Sequence, residues 1–419
     1  MSNYIFTRAE NNNEVKQLSK LFNEVFNPEK VGDLAETLTF HFPGMGSRNW
    51  FVAKETDTKE IVSGFALIPW QWQFKNVRLK AAEMGIVGTL KEHRGKGLMK
   101  RINEQFDNEL SNENYDLAVI QGIPGFYHRL GYHYALPMEH HTEVPIFAIR
   151  ELSNTPIRKA GLKDIPFLLS EGNRSSLKYD ITSQRTAKQW QYILTESLST
   201  EYASEVFIVE YKGEQYFLRF LKQGFGEGLI ITECSHTMPN DLLEAVFSFL
   251  KQQALERNKP YIRLNLPNDH QLVQHAIQYG AVLKPSYAWQ IKLVNPVKFI
   301  SKIGSLLENR IAESVYSGLS GVVTLDCYSF KIHLKWNDGI LTKVTGDNQT
   351  TDYLMSIPED LLTPFLLGFR SWQEMQYIRP DIFPADQYLR MDCKKPSEET
   401  GQLMDVLFPK LNNWIYGQY

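Results

Sequence analysis

The order of elements in the first 150 residues starts again near residue 151, and this internal repeat constrains the fold more than any other feature of the sequence. Ile5-Phe6-Thr7-Arg8-Ala9 resembles Ile157-Arg158-Lys159-Ala160-Gly161, and each is followed by an amphipathic helix. Asp116-Leu117-Ala118-Val119 with Leu130-Gly131-Tyr132 resembles Ile262-Arg263-Leu264-Asn265 with Tyr279-Gly280-Ala281, at a similar offset of about 150. Within the first copy, NYIFTR reads as a strand, and EVKQLSKLFNEVF places Val15, Leu18, Leu21, Phe22 and Val25 on one helical face. WFVAKE, IVSGFALIPW and VRLKAAEMGIVGTL read as strands. The glycine-bearing KEHRGKG, the helix LMKRINEQFDNELSN and the strands YDLAVIQG and YHYALP complete an α/β pattern.

From about Asn295 the character changes. Val297 to Val315 reads as an amphipathic helix, GVVTLDCYSFKIHLKWNDGILTKV as two or three strands around an Asn-Asp-Gly turn, and PEDLLTPFLLGFRS as a Pro-started helix ending at Gly368. That is an α+β segment without βαβ order. The expected domains are 1–150, 151–294 and 295–419, which agrees with 419 residues at ~150 per domain.

Composition excludes several classes. With 43% apolar and 22% charged residues the chain is neither disordered nor fibrous. A net charge of −3 argues against a general polyanion binder, so no nucleic acid is expected as partner. The three cysteines, Cys234, Cys327 and Cys393, are widely spaced and lack CxxC, so neither a disulfide framework nor a zinc site is encoded, and no metal is expected. The start has no basic head and apolar run, and the most apolar windows are ~10 residues against the ~20 that span a bilayer. A soluble, cytoplasmic protein is expected, with no membrane partner.

The near-balance of charge hides one local excess. Five of the eleven residues from Lys91 to Arg101 are basic and one is acidic. They lie in Val87-Gly88-Thr89-Leu90-Lys91-Glu92-His93-Arg94-Gly95-Lys96-Gly97-Leu98, where a strand ends, a glycine loop follows and a helix begins. Glycines admit a ligand close to the backbone, and the first amides of a helix lack partners at the positive end of its dipole. Such a terminus binds phosphate, and the lysines and arginines suit a diphosphate. The plainer reading is a basic turn whose glycines only shape the chain. Neither the Walker pattern nor GxGxxG is present.

This segment resembles the loop of the GNAT acetyltransferase superfamily, [QR]xxGx[GA] after a central strand. Arg94-Gly95-Lys96-Gly97-Leu98-Met99 matches at Arg94 and Gly97 and departs at Met99, where Gly or Ala is usual. The resemblance implies acetyl-CoA as co-substrate, with its pantetheine arm along Val87, Gly88 and Thr89. Its pyrophosphate would be held by Arg94 through Lys100, that is by Gly95, Lys96, Gly97, Leu98 and Met99 as well. Phe126-Tyr127-His128-Arg129-Leu130-Gly131-Tyr132 is similar to the superfamily's FYxxxGF signature. It implies that Tyr127 is the general acid that protonates the departing thiolate. A phenol with an ordinary pKa near ~10 carries its proton at neutral pH. Outside such a context, a Tyr before Leu-Gly is a packing residue.

Two groups qualify as the base. Glu83 lies six residues before Thr89, where many superfamily members carry a catalytic glutamate, and alternation places Glu83, Gly85, Val87 and Thr89 on one sheet face. The bland alternative is a solvated edge carboxylate. Over the full length the chain resembles the enhanced intracellular survival (Eis) type of acetyltransferase. That type has an active GNAT domain, a degenerate GNAT domain and a sterol carrier protein-like C-terminal domain. In the second copy SHTMPNDLLEAV stands where the first reads EHRGKGLMKRI, so one acetyl-CoA per chain is expected. In that family a terminal carboxylate serves as base, which assigns the role here to Tyr419. The ending Phe408 to Tyr419 is apolar enough to dock, and simple packing of a tail is the alternative. The family's ring-like assemblies imply a homo-oligomer.

The remaining candidates have plainer readings. His140-His141 lacks a third metal ligand at useful spacing and suits a surface or site rim, and His93 orients the loop. Trp70, Trp72 and Phe74 alternate as a half-buried strand face, or else wall an acceptor pocket with His41, Phe42 and Pro43. No Cys lies in residues 1–150 and no Ser/His/Asp arrangement is legible, so direct transfer to a small-molecule or peptide amine is expected. The rival class is a non-catalytic binder of acyl-CoA or of an apolar ligand.

Overall fold

The computed structural model describes residues 3–152, 157–223, 226–347, 349–386, 393–417 and 419, so that Gln418 of the apolar ending lies outside the described residues. The first part is β1 (Tyr4–Arg8), α1 (Asn12–Val25), α2 (Val31–His41), β2 (Trp50–Glu55), β3 (Ile61–Phe74), β4 (Val77–Thr89), α3 (Leu98–Asn112), β5 (Leu117–Ile120) and β6 (His133–Met138). Next come β7 (His141–Pro145), β8 (Ile157–Lys159), α4 (Ile165–Ser176), β9 (Ile181–Gln184), α5 (Ala187–Leu194), β10 (Ser204–Tyr211) and β11 (Glu214–Leu221). This part closes with β12 (Leu229–Cys234), α6 (Asn240–Glu256), β13 (Tyr261–Leu264), α7 (Gln271–Ala276), β14 (Val282–Lys284) and β15 (Tyr287–Leu293).

The expected helical face of residues 15–25 is realised in α1, where Val15, Leu18, Leu21 and Phe22 are buried and the Asn11 side chain caps the start by accepting from the Asn13 and Glu14 amides. α2 carries none of the motifs read above. Its Leu34, Ala35 and Leu38 add to the apolar layer that α1 lays on one face of the first sheet, while Ile102 and Phe106 of α3 cover the other face against Phe51 and Phe65.

The first sheet has eight strands in the order β1-β2-β3-β4-β5-β15-β6, with β9 on the outer half of β3; the second has seven, β14-β7-β13-β12-β11-β10-β8. Each sheet therefore borrows a strand. β15 enters the first between β5 and β6, and β7, which directly follows β6, enters the second between β13 and β14. The exchange is symmetric, as a duplicated fold would allow, and it ties the two sheets together through backbone hydrogen bonds.

The third part has α8 (Pro296–Lys302), α9 (Gly304–Ala312), β16 (Gly321–Asp326), β17 (Lys331–Asn337), β18 (Ile340–Thr345), β19 (Tyr353–Ser356), α10 (Glu359–Leu366), α11 (Trp372–Ile378), β20 (Phe383–Ala385) and α12 (Ser397–Leu407). Its sheet runs β18-β17-β16-β19-β20. The Asn-Asp-Gly turn forms between β17 and β18, with Asp338 and Gly339 at positive φ. The single helix expected over 297–315 is instead two, broken at Ile303, where Gly304 is a poor helix former.

Trp70, Trp72 and Phe74 are fully buried rather than half-buried. The indoles of Trp70 and Trp72 pack edge-on against Trp289 of β15 at 5.7 and 6.0 Å, and the Arg310 guanidinium of α9 lies 5.6 Å from the Phe74 ring. Alternation along the strand predicted which side they face; what covers that side comes from residues more than 200 positions away.

Candidate active site

β4 is interrupted where the site opens. Ala66 pairs with Gly85 and Gly64 with Gly88, so Ile86 and Val87 stand opposite Phe65 alone, a bulge with Ile86 at φ +52°. A β-branched residue at positive φ is strained, and such strain collects at functional sites. On the other side β4 pairs with β5 only from Ala81 to Glu83, and β5 ends at Ile120 while β4 continues to Thr89. The two strands thus splay, leaving the Val87-Gly88-Thr89 backbone along an open edge.

The bulge also overturns the expected alternation. Gly85 lies over Ile68 on the α1 side, the side on which Glu83 meets Trp70. Val87 instead packs against the α3-side core, to which Met84 and Leu67 belong. One inserted residue moves the side chains beyond it to the other face. A Cβ on Gly88 would lie 2.9 Å from the Phe22 ring, so close packing of α1 demands glycine there.

The predicted loop residues follow directly beyond the splay, and they divide between exposed and buried positions. Lys91–His93 make a 3-10 turn, Gly95 and Gly97 take φ +74° and +73°, and Gly97 is the N-cap of α3 with no side chain capping its first turn. Neither glycine has a heavy atom within 4 Å of a would-be Cβ, so left-handed backbone, not crowding, is what they supply. Arg94 donates through Nε to the Thr89 carbonyl at 3.1 Å, and Lys96 donates to the Tyr4 hydroxyl, which also bonds His93 Nδ1. Lys91, Arg94, Lys96 and Lys100 are exposed, whereas Leu98 is buried and Met99 packs on the α3-side core. The departure from the motif at Met99 is therefore turned inward.

Tyr127 begins a 3-10 turn closed by Gly131 at φ +84°. Its ring lies against Gly122, where a Cβ would come within 2.3 Å of it, and Gln290 of β15 fixes that backbone by donating to the Gly122 carbonyl at 2.8 Å. The borrowed strand thus shapes this lip of the opening. Burial pushes the Tyr127 phenol up to about 12, so it keeps its proton at neutral pH.

Glu83, on the last rung shared by β4 and β5, is 3% exposed, not a solvated edge carboxylate. Its Oε2 accepts from the Trp70 indole at 2.8 Å and its Oε1 from the Tyr419 hydroxyl at 3.0 Å. Desolvation dominates these two hydrogen bonds and brings its pKa from 4.5 up to about 7. Both base candidates are therefore in one place, but it is the phenol of Tyr419 that meets Glu83, while its main-chain oxygen accepts from Arg219 at 2.8 Å. Phe42 packs edge-on against the Tyr419 ring at 6.0 Å, and His41 lies 3.9 Å from Glu196 beside it. His140 stacks obliquely on Trp414, and His141 bonds Glu143. Among the described residues no group of three His, Cys, Asp or Glu side chains is arranged to hold a metal ion.

Residues 7–135, which contain the splay, the loop and Tyr127, match the family model described as "Acetyltransferase (GNAT) domain". This segment is a GNAT acetyltransferase domain. The chain is accordingly an acyltransferase, and proteins of this domain family transfer acyl groups to amines. The whole chain shares its fold with solved structures of such proteins. A GCN5-related N-acetyltransferase from Anabaena variabilis ATCC 29413 is 17% identical with a TM-score of 0.68, covering 99% of each chain. A probable N-acyltransferase from Enterococcus faecalis V583 is 14% identical with a TM-score of 0.69 over 100% of each. Eis1 from Mycobacterium abscessus is 14% identical with a TM-score of 0.63, over 99% of this chain and 100% of that one. No curated protein matches the sequence. No helix among the described residues is long and apolar enough to cross a membrane.

Gln290, Arg185, Arg219 and Glu233 lie outside the motifs of the sequence. Arg219 in FLRFL and Glu233 in IITEC are charges inside apolar strand runs, the one signal that marks them.

Proposed function

We propose that the chain moves the acetyl group of acetyl-CoA directly to an amine in a ternary complex, with Glu83 as base and Tyr127 as acid. The observation that carries this reading is the opening between β4 and β5, with Glu83 on its last closed rung, Tyr127 beside the end of β5, and the glycine loop beyond Thr89. The pyrophosphate would lie on the amides of Gly95 to Lys100, and the pantetheine arm would pair with the free edge of Val87-Gly88-Thr89. The amine attacks the thioester carbonyl; a C–N bond forms and the C–S bond breaks. The ammonium proton leaves for Glu83, either directly or through the Tyr419 hydroxyl, which passes its own proton to Oε1 as it accepts one. The thiolate takes the Tyr127 proton. Holding both reactants together replaces a bimolecular encounter, a gain that reaches ~10⁵ M or more in effective molarity.

In this reading residues 1–150 are the catalytic GNAT domain. Residues 151–294 are a second copy of the fold without a CoA loop, and residues 295–419 are a sterol carrier protein-like domain. The reciprocal strand exchange and SHTMPNDLLEAV in place of the loop support that division.

The test is an acetyl-CoA-dependent screen of amines, read by free thiol. A competent amine gives release above the hydrolysis background, and Tyr127→Phe lowers turnover while retaining acetyl-CoA affinity. Absence of release with every amine class, or full turnover by Tyr127→Phe, would sink the mechanism. Calorimetry is expected to find one acetyl-CoA per chain; two equivalent sites would contradict the assignment of the second copy.

A further inference from the structure

The second sheet carries an ion cluster that the transfer chemistry does not use. Arg185, just beyond β9, donates from Nη1 and Nη2 to the two carboxylate oxygens of Glu233 at 2.9 and 2.6 Å. Arg219 of β11 lies 3.5 Å from the same carboxylate and donates from Nε to the Ser204 hydroxyl at 2.6 Å. The three side chains are 6%, 2% and 3% exposed for Arg185, Arg219 and Glu233. Two guanidiniums face one carboxylate, and their remaining donors go to the chain's last residues. Arg185 reaches the Gly417 carbonyl from Nε at 3.0 Å and from Nη2 at 2.6 Å, and Arg219 reaches it from Nη1 at 2.7 Å. Nη2 of Arg219 takes the main-chain oxygen of Tyr419.

We infer that this cluster makes the second sheet an anchor for the active site of the first: Arg185 and Arg219, braced by Glu233, hold the main-chain oxygens of Gly417 and Tyr419 so that the Tyr419 phenol stands against Glu83. The inference rests on the proposed transfer reaction for its kinetic meaning, though not for its structural test.

Three features of the molecule carry it. A buried ion cluster is weak ground for stability, since apolar residues of like volume serve as well or better. What apolar residues cannot do is hold main-chain oxygens. Second, the tail is aligned over its whole approach: Asp180 donates to the Asn412 carbonyl, Trp414 to that of Ile181, and the Ser183 hydroxyl to that of Tyr416. β9, along which it runs, pairs in turn with Gln71–Phe74 of β3, the strand that also bears Trp70. Third, the contact at the far end is with the carboxylate at the splay itself. The groups acting on Glu83 are the Trp70 indole, the Tyr419 phenol and desolvation; its register neighbours Ile68 and Val119 are apolar. Arg219, brought down to about 9 by burial and by Arg185, is still cationic at neutral pH. Arg185 and Arg219 are thus positioning residues, acting through Tyr419.

The test is a cycle of Arg219→Met and Tyr419→Phe. Arg219→Met leaves Arg185 and Glu233 as a neutral pair, so the fold and acetyl-CoA affinity are expected to persist, checked by circular dichroism and calorimetry. Turnover is expected to fall roughly tenfold with the KM for acetyl-CoA unchanged, the signature of lost positioning. The pH at which Glu83 ionises is expected to rise, because a hydrogen bond to the carboxylate form is released. Tyr419→Phe is expected to give the same rise, and the double variant no more than either. Arg219→Lys, which keeps the charge and one donor, should restore part of the effect; if Arg219→Met does not fold, this variant carries the comparison. The Glu83 titration is also read without turnover, by the infrared carboxyl band that Glu83→Gln removes. If the chain acetylates no amine, that titration still decides the anchor, so the two readings fail separately. Arg219 variants with a wild-type titration, or additive shifts in the double variant, would overturn it.

Discussion

Glu83 and Glu233 sit in comparable places and live under opposite rules. Each lies on a strand that pairs antiparallel with the strand before it, and each is buried, at 3% and 2% exposure. Glu83 is met by two neutral donors, an indole and a phenol, while Glu233 is met by two guanidiniums. Neutral donors do not offset the cost of burying a charge, and Glu83 rises to about 7, where it can trade a proton at neutral pH. Two guanidiniums within 3.5 Å of one carboxylate give Glu233 the geometry of a brace for other groups. The same tail touches both: its phenol serves one and its carbonyls the partners of the other. The lesson is that the donor's charge decides whether a buried carboxylate is chemical or structural.

The comparison can be broken most sharply at Glu83. The wild-type rate is expected to rise as pH passes through about 7, and Glu83→Gln is expected to lower turnover ~10²-fold or more and to abolish that rise. A retained rise would move the base elsewhere. Next in size, Glu233→Gln leaves two guanidiniums without their counter-charge and is expected to cost ~3–5 kcal/mol in denaturant unfolding. A near-neutral result would remove the brace.

Stability then reports on Glu83 through its pH dependence. Folded Glu83 holds its proton more tightly than the unfolded chain does, so its contribution is greatest below about pH 4.5 and is lost as pH rises through about 7. Glu83→Gln is therefore expected to gain stability relative to wild type between pH 5 and pH 8, by up to on the order of 3 kcal/mol. A gain that does not grow with pH would refute the shifted titration. Gly97→Val, forcing a β-branched residue to φ +73°, is expected to weaken acetyl-CoA binding by about tenfold, as ~1–2 kcal/mol of left-handed strain implies. The smallest effect is Trp70→Phe, which removes one hydrogen bond worth ~1 kcal/mol and is expected to move the Glu83-dependent rise in rate to higher pH by under a unit.

Much of the fold was legible because its signals are local. The helix LMKRINEQFDNELSN is α3 to the residue, and the loop before it has the two left-handed glycines its sequence announces. Tyr127 and Glu83 could be named from motif spacing. The faces of β4 could not be, because period-two reasoning assumes an unbroken strand and the bulge at Ile86 inverts it. The burial of the Trp70–Phe74 face depended on β15, which reaches the first sheet only by exchange with β7.

By itself the sequence determined the α/β order of the first part and the basic glycine loop that leads into α3, both properties of residues within one or two turns of each other. Only the tertiary structure decided that Glu83 is a buried, neutral-bonded carboxylate and that Tyr419 reaches it with a phenol, across 336 positions of chain. The reason is physical. A carboxylate's pKa is set by what surrounds it, and the surroundings of Glu83 are assembled from β3, β4 and a tail held by the second sheet.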